Sequence, residues 1–211
     1  MKSERGFSLV ELSIVMAVAG VVLSAAWVAG NAMKEEARVK ATIENERILV
    51  QNVRSFFVGR AGVQASGSAL SSACFSSCMV RKNLVPRDLI RTVSTDDSDC
   101  AGGGSCVGKM DHPWQSSLQA TNGGIVLAVA SATAQEFTVE FTKLPQKACA
   151  NLSMKLGDPT AVSGLKSLSI NGAAQNHSTQ TLNGYLAACG AGDNAKIDVV
   201  YRLRGAGMDG Q

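Results

Sequence analysis

The feature that most constrains this chain is a run near its N-terminus, "LSIVMAVAGVVLSAAWVAGNAM", in which the 22 residues from Leu12 to Met33 carry no formal charge. In a helix such a run spans roughly 30 Å, the thickness of the hydrocarbon core of a bilayer. Whatever the rest of the chain does, this segment requires lipid or other apolar helices around it. Glu11 stands immediately before the run. A carboxylate in lipid costs about 2.5–3.5 kcal/mol, so an acid at this place calls for a partner. A blander alternative is an acid near a helix N-terminus, favoured by the helix dipole and the headgroups. Lys2 and Arg5 precede the apolar stretch, which by the positive-inside tendency keeps the first residues in the cytoplasm and sends the remainder across.

All six cysteines, Cys74, Cys78, Cys100, Cys106, Cys149 and Cys189, lie on the far side of that segment. An even number confined to an extracytoplasmic region favours disulfides. A zinc site formed by the first four is the competing possibility. Neither close pair has the C-x2-C spacing of a zinc knuckle, and the compartment is oxidising. Two local disulfides are therefore expected, joining the pair Cys74 and Cys78 to the pair Cys100 and Cys106, and no metal. The formal charge is +3 without a clustered basic stretch, which gives no reason to expect a nucleic-acid partner.

Past Met33 the helical pattern continues without a breaker. "NAMKEEARVKATIENERILVQNVRSFFVGR" places Val39, Ile43, Val50, Val53 and Phe57 on one face of a helix, with charged residues between them. The pattern predicts a helix from Phe7 to Val58, ending at Gly59 and the Gly/Ser-rich "GRAGVQASGS". Its first half suits lipid or sister helices, and its second half suits a head domain. Ser66 to Arg91 reads as a second, shorter helix broken by Pro86, and "TVSTDDSDCAGGGSCVGKMDHPW" as a loop.

The C-terminal half alternates like a sheet. "GGIVLAVAS", "QEFTVEFTKL", "LSINGAAQ" and "NAKIDVVYRL" each read as strands, with Phe137, Val139 and Phe141 on one face of the second. "PQKACANLSMKLG" reads as a helix carrying Cys149. The economical solution is α+β: an antiparallel sheet packed on the inner face of the long helix. Nothing here points to an enzyme. His112 and His177 lie in no nucleophile or metal motif and read as solvated loop residues, and no phosphate-cradling loop or C-x-x-C is present. Trp114 reads as a buried anchor rather than as a ligand surface. No catalytic residue and no cofactor are expected.

"GFSLVEL", residues 6–12, joins a basic leader, a glycine, an aromatic, an acid four residues later and an unbroken apolar helix. In this it resembles the processing signature of type IV prepilins. The resemblance implies that a prepilin peptidase cuts between Gly6 and Phe7 and methylates the new N-terminal amine. It also implies that Glu11 of one subunit pairs with the amine of a neighbour as the filament assembles. "HPWQSSLQA", "FTVEFTKLPQKACANL" and "YLAACG" resemble the head domain of type IVb pilins of the PilS type, in which the last two cysteines, here Cys149 and Cys189, close a disulfide-bounded region. A short leader and Phe at the first mature position are closer to type IVa pilins, and the other four cysteines are additional to the family pattern.

The organisation so implied is a leader at 1–6, a transmembrane and polymerisation half of the helix at 7–33, an amphipathic half at 34–58 and a disulfide-bonded pilin head at 59–211. The fold implied is the pilin fold. The function implied is that of a structural subunit in a homopolymeric pilus, with the prepilin peptidase, the assembly machinery and the inner membrane as partners. Adhesion, aggregation and conjugation are the roles such a surface filament serves. A minor pilin, a secretion pseudopilin and a membrane-tethered adhesin or binding domain that never polymerises are the alternatives.

Overall fold

The structure is a computed structural model that describes residues 9–58, 64–65, 68–69, 74–93, 100, 106, 108–114, 124–129, 135–158, 164–176 and 178–203. The leader, Phe7, His177, the residues between Cys100 and Cys106, and the tail "RGAGMDGQ" lie outside the described residues. One helix, α1, runs from Leu9 to Phe57, and the chain divides into two compact units, Met1–Arg38 and Val39–Gln211.

Within the second unit, α1 buries Val39, Thr42, Glu46, Leu49, Val50, Val53 and Phe57. Steps of three and four keep these residues on one stripe. Ile43 is only half-buried, and Thr42, Glu46 and Leu49 complete the stripe. After a two-residue ladder, β1 (Gln64–Ala65) with β2 (Ser68–Ala69), come α2 (Phe75–Arg81) and a 3-10 turn at Arg87–Leu89. The helix expected over Ser66–Arg91 is thus corrected: among the described residues of that stretch only Phe75–Arg81 is α-helical, and Ile90–Thr92 is a strand, β3. Asn83 takes a left-handed backbone, φ 55°, right after α2, and Pro86 is extended, so the chain turns toward the sheet before Ile90.

Among the described residues the sheet has seven antiparallel strands in the order β3, β4 (Lys109–Met110), β5 (Ile125–Ala128), β6 (Glu136–Leu144), β9 (Ala195–Arg202), β7 (Leu165–Ile170) and β8 (Ala173–Ala174). Its centre is the β6–β9 ladder, where Phe137 faces Tyr201, Val139 faces Val199 and Phe141 faces Ile197. All six of these residues are buried, and Thr138, Glu140, Lys196 and Asp198 alternate onto the other face. Alternation alone would put Lys143 inside and Leu144 outside. A register shift between Phe141 and Leu144, with Lys143 at φ 58°, reverses this: Leu144 is buried and Lys143 exposed.

Helix α3 (Gln146–Leu156) follows β6, and α4 (Leu182–Cys189) precedes β9. "LSINGAAQ" is two strands and a tight turn, not one strand. Asn171 (φ 51°) and Gly172 (φ 83°) supply the paired left-handed conformations of a two-residue hairpin joining Ile170 to Ala173. The Asn171 side chain then donates to Ala188 O at 3.0 Å and accepts from Lys196 N at 2.9 Å, stitching the turn to the end of α4 and the start of β9.

Candidate functional site

The first unit is defined by what its surface lacks. Large apolar side chains from Leu9 to Met33 are exposed, Leu9 by 85%, Val21 by 70% and Trp27 by 73%. A continuous apolar surface of this extent marks a membrane or protein interface. The helix is long and apolar enough to cross a membrane. Its polar groups suit such a place. Ser13 Oγ donates to Val10 O at 2.7 Å and Ser24 Oγ to Val21 O at 2.8 Å, so neither hydroxyl needs water. From Leu9 to Met33 the one formal charge is Glu11, exposed in the first turn of α1. Gly6 and Phe7 are outside the described residues.

In the second unit three disulfides brace the head. Cys74 is bonded to Cys106 and Cys78 to Cys100, with Cα separations of 4.7 Å and 4.8 Å, and Cys149 is bonded to Cys189 with Cα atoms 6.1 Å apart. The first two tie α2 to the Cys100–Cys106 segment, and the third ties α3 to the last residue of α4. With every cysteine oxidised, none is a thiolate that could hold a metal.

The head's contact with α1 contains a polar pair that sequence reasoning missed. Tyr201 on β9 donates its hydroxyl to Glu46 Oε1 at 2.7 Å, and both residues are buried. Burial pushes the Glu46 carboxyl up to about 8, against a weaker lowering by the tyrosine hydrogen bond. Burial likewise raises Tyr201, and the neighbouring Glu46 adds to the rise. The Arg54 guanidinium lies 6.0 Å from the Tyr201 ring centroid and donates through Nε to Arg202 O at 2.8 Å. In sequence, Glu46 looked like one more charge among "ENER"; the signal that could have found it is its position three residues before Leu49 and four before Val50 on the apolar stripe.

His112 also departs from its expected setting. It is not solvated: it is 3% exposed, Nε2 lies 2.7 Å from Thr142 O, and burial lowers its pKa. The β6 bulge brings the Thr142 carbonyl to it. Trp114 is half-buried, packed against the core and 5.8 Å from the His112 ring.

An exposed apolar N-terminal helix and a disulfide-braced α+β head define the class of protein, a type IV pilin. The model of the prokaryotic N-terminal methylation motif matches residues 1–27, and that of the family described as PilS N terminal matches residues 40–202. The chain belongs to this PilS family of type IVb-like pilins. No curated protein matches it. Among solved structures it is similar to the crystal structure of type IV b pilin from Salmonella typhi, at 21% identity and a TM-score of 0.51, over 77% of this chain and 97% of that one. At that identity the likeness shows the fold.

The family membership and the motif imply processing by a prepilin peptidase and polymerisation into a pilus. The chain is anchored in the inner membrane by its apolar helix and becomes part of a surface pilus. Pilin subunits are structural proteins rather than enzymes.

Proposed function

We propose that the chain is cut between Gly6 and Phe7, is methylated at Phe7, and polymerises through the helix that follows, with Glu11 of one subunit paired to the Phe7 amine of the next. The observation that carries this reading is the single carboxylate, Glu11, in the otherwise uncharged, exposed apolar surface of α1 from Leu9 to Met33. When such helices bundle, an unpaired acid and an unpaired amine each carry a desolvation cost, and pairing the two offsets it. Assembly also supplies the covering that the apolar surface lacks. The filament serves contact between cells or with a surface, the class of role that covers adhesion, aggregation and conjugation.

The test is Glu11→Ala in cells that otherwise assemble the pilus. The expected result is loss of surface filaments while the subunit still accumulates in the membrane with its three disulfides intact. Normal filaments from this variant would contradict the reading and favour a membrane-tethered domain that works without polymerising.

A further inference from the structure

The four cysteines that are additional to the family pattern are joined in a nested way: Cys74 pairs with Cys106, and Cys78 with Cys100 inside it. In chain order, however, each of the four has a nearer neighbour. Cys78 lies four residues after Cys74, and Cys106 six after Cys100. The native separations are 32 and 22 residues. Loop closure in an unfolded chain becomes rarer as the three-halves power of loop length, so the local pairs meet on the order of tenfold more often than the native ones. Gly102, Gly103 and Gly104 lie between Cys100 and Cys106, and glycine leaves an unfolded chain free to close that short loop. Order of export adds to the bias. At a synthesis pace of roughly 5–20 residues per second, Cys78 precedes Cys100 by about one to four seconds, during which Cys74 and Cys78 meet the oxidising compartment alone.

The local pair does not fit the folded head. Cys74 caps α2, and Cys78 lies one turn into it. Side chains four apart on a helix have Cβ atoms about 5–6 Å apart, whereas a disulfide holds them at about 3.5–4.5 Å. A Cys74–Cys78 bond is therefore incompatible with the first turn of α2, and so with the burial of Phe75, Met79 and Val80 in the core. Chains oxidised in this way must exchange their disulfides before the head closes. Cys149 and Cys189 have no cysteine between them, so oxidation in chain order yields their native bond directly.

Burial marks where the exchange ends. Cys74, Cys78 and Cys100 are 2%, 0% and 3% exposed, whereas Cys106 is half-buried. Cys106 is thus the residue that an outside protein can hold while the other three are being covered. We propose that this chain requires a thiol–disulfide isomerase as a folding partner, attached through a mixed disulfide at Cys106. A disulfide-bearing oxidase first takes two electrons and two protons from each local pair of thiols and becomes a dithiol. The isomerase thiolate then attacks Cys106 Sγ, breaking Cys100–Cys106 and expelling the Cys100 thiolate. That thiolate attacks Cys78 Sγ, forming Cys78–Cys100 and expelling the Cys74 thiolate. Cys74 finally attacks Cys106 Sγ of the mixed disulfide, forming Cys74–Cys106 and returning the isomerase thiolate. Two disulfides become two disulfides, the exchange neither gains nor loses electrons, and the inner bond closes before the outer.

The test uses the full chain in micelles of dodecylphosphocholine, so it does not depend on polymerisation. Reduced protein is unfolded in urea and diluted into just enough oxidised dithiol oxidase to form its three bonds. Samples are quenched by alkylation at intervals and digested with trypsin, which cuts after Arg60, Arg81, Arg91 and Lys109. Local pairing leaves peptides 61–81 and 92–109 separate, whereas native pairing joins them, and fragmentation between Cys100 and Cys106 identifies the nested bonds. Separate peptides are expected first, and a catalytic amount of reduced isomerase is expected to speed their joining by about tenfold or more. The Cys149–Cys189 bond is expected to form at the same rate with and without it. In Cys74→Ser, no thiolate remains to expel the isomerase once Cys78–Cys100 has formed, so a mixed disulfide at Cys106 is expected to accumulate. The double variant Cys74→Ser/Cys106→Ser keeps the inner pair alone and is expected to form Cys78–Cys100 at a rate that isomerase does not change. Native pairing of the wild type by oxidase alone, as fast as with isomerase, would overturn the proposal, as would a mixed disulfide held at a cysteine other than Cys106.

Discussion

Replacing Glu46 by Gln is expected to stabilise the head, and to do so only above acidic pH. Glu46 is 1% exposed, its Oε1 accepts from Tyr201, and its Oε2 has no partner among the described residues. Its carboxyl titrates at about 8 in the folded head, against an ordinary value of 4.5. Below the ordinary value the acid is protonated in both states and contributes nothing to the pH dependence. Between 4.5 and about 8 the unfolded chain gives up its proton while the folded head keeps it, so stability falls as pH rises, by about 1.4 kcal/mol per unit. Over the whole interval the loss reaches roughly 5 kcal/mol, and it levels off above pH 8. A loss of that size is comparable to the net stability of a whole domain, about 5–15 kcal/mol. The Gln side chain keeps the shape and the acceptor for Tyr201 and has no proton to lose. Urea unfolding of the full chain in micelles, followed by circular dichroism from pH 4.5 to 9, should show Glu46→Gln matching wild type at the acid end. The variant should lead by about 3 kcal/mol at pH 7 and about 5 kcal/mol at pH 9. Parallel pH profiles, or a variant weaker than wild type at pH 9, would refute the reasoning.

Two further outcomes follow from the head. Replacing Cys149 and Cys189 together by Ser opens a link with a sequence separation of 40 residues. It should lower the unfolding free energy by roughly 3–4.7 kcal/mol in non-reducing urea titrations. His112 acts in the opposite pH direction to Glu46: burial lowers its folded pKa below 6.5, so the unfolded chain takes up the proton first and stability falls as pH drops through that value. In a Glu46→Gln background, His112→Gln should flatten that acid-side fall, read by the same urea titrations between pH 7 and 5.

The elements that the sequence made plain are those with long, uninterrupted patterns. Twenty-two uncharged residues after Glu11 have one physical reading, and Phe137, Val139 and Phe141 alternate as a half-buried strand must. What escaped depends on local geometry or on contacts distant in sequence. "LNGYLAAC" carries an Asn-Gly pair, yet it is α4, started by Thr181, whose hydroxyl accepts from Gly184 N at 3.3 Å. The Asn-Gly pair that does form a hairpin is the other one, Asn171 and Gly172. His112 beside Pro113 reads as an exposed turn until the β6 bulge brings the Thr142 carbonyl to it. Glu46 meets Tyr201 from 155 positions away, a pairing that no local pattern announces.

The central claim, a processed subunit exported and polymerised through its N-terminal helix, is tested most directly by an intact mass of protein sheared from the cell surface, before and after reduction and alkylation. The account predicts the mass of residues 7–211 with one added methyl group and three disulfides. A mass that retains "MKSERG", or no protein in the sheared fraction, would contradict it.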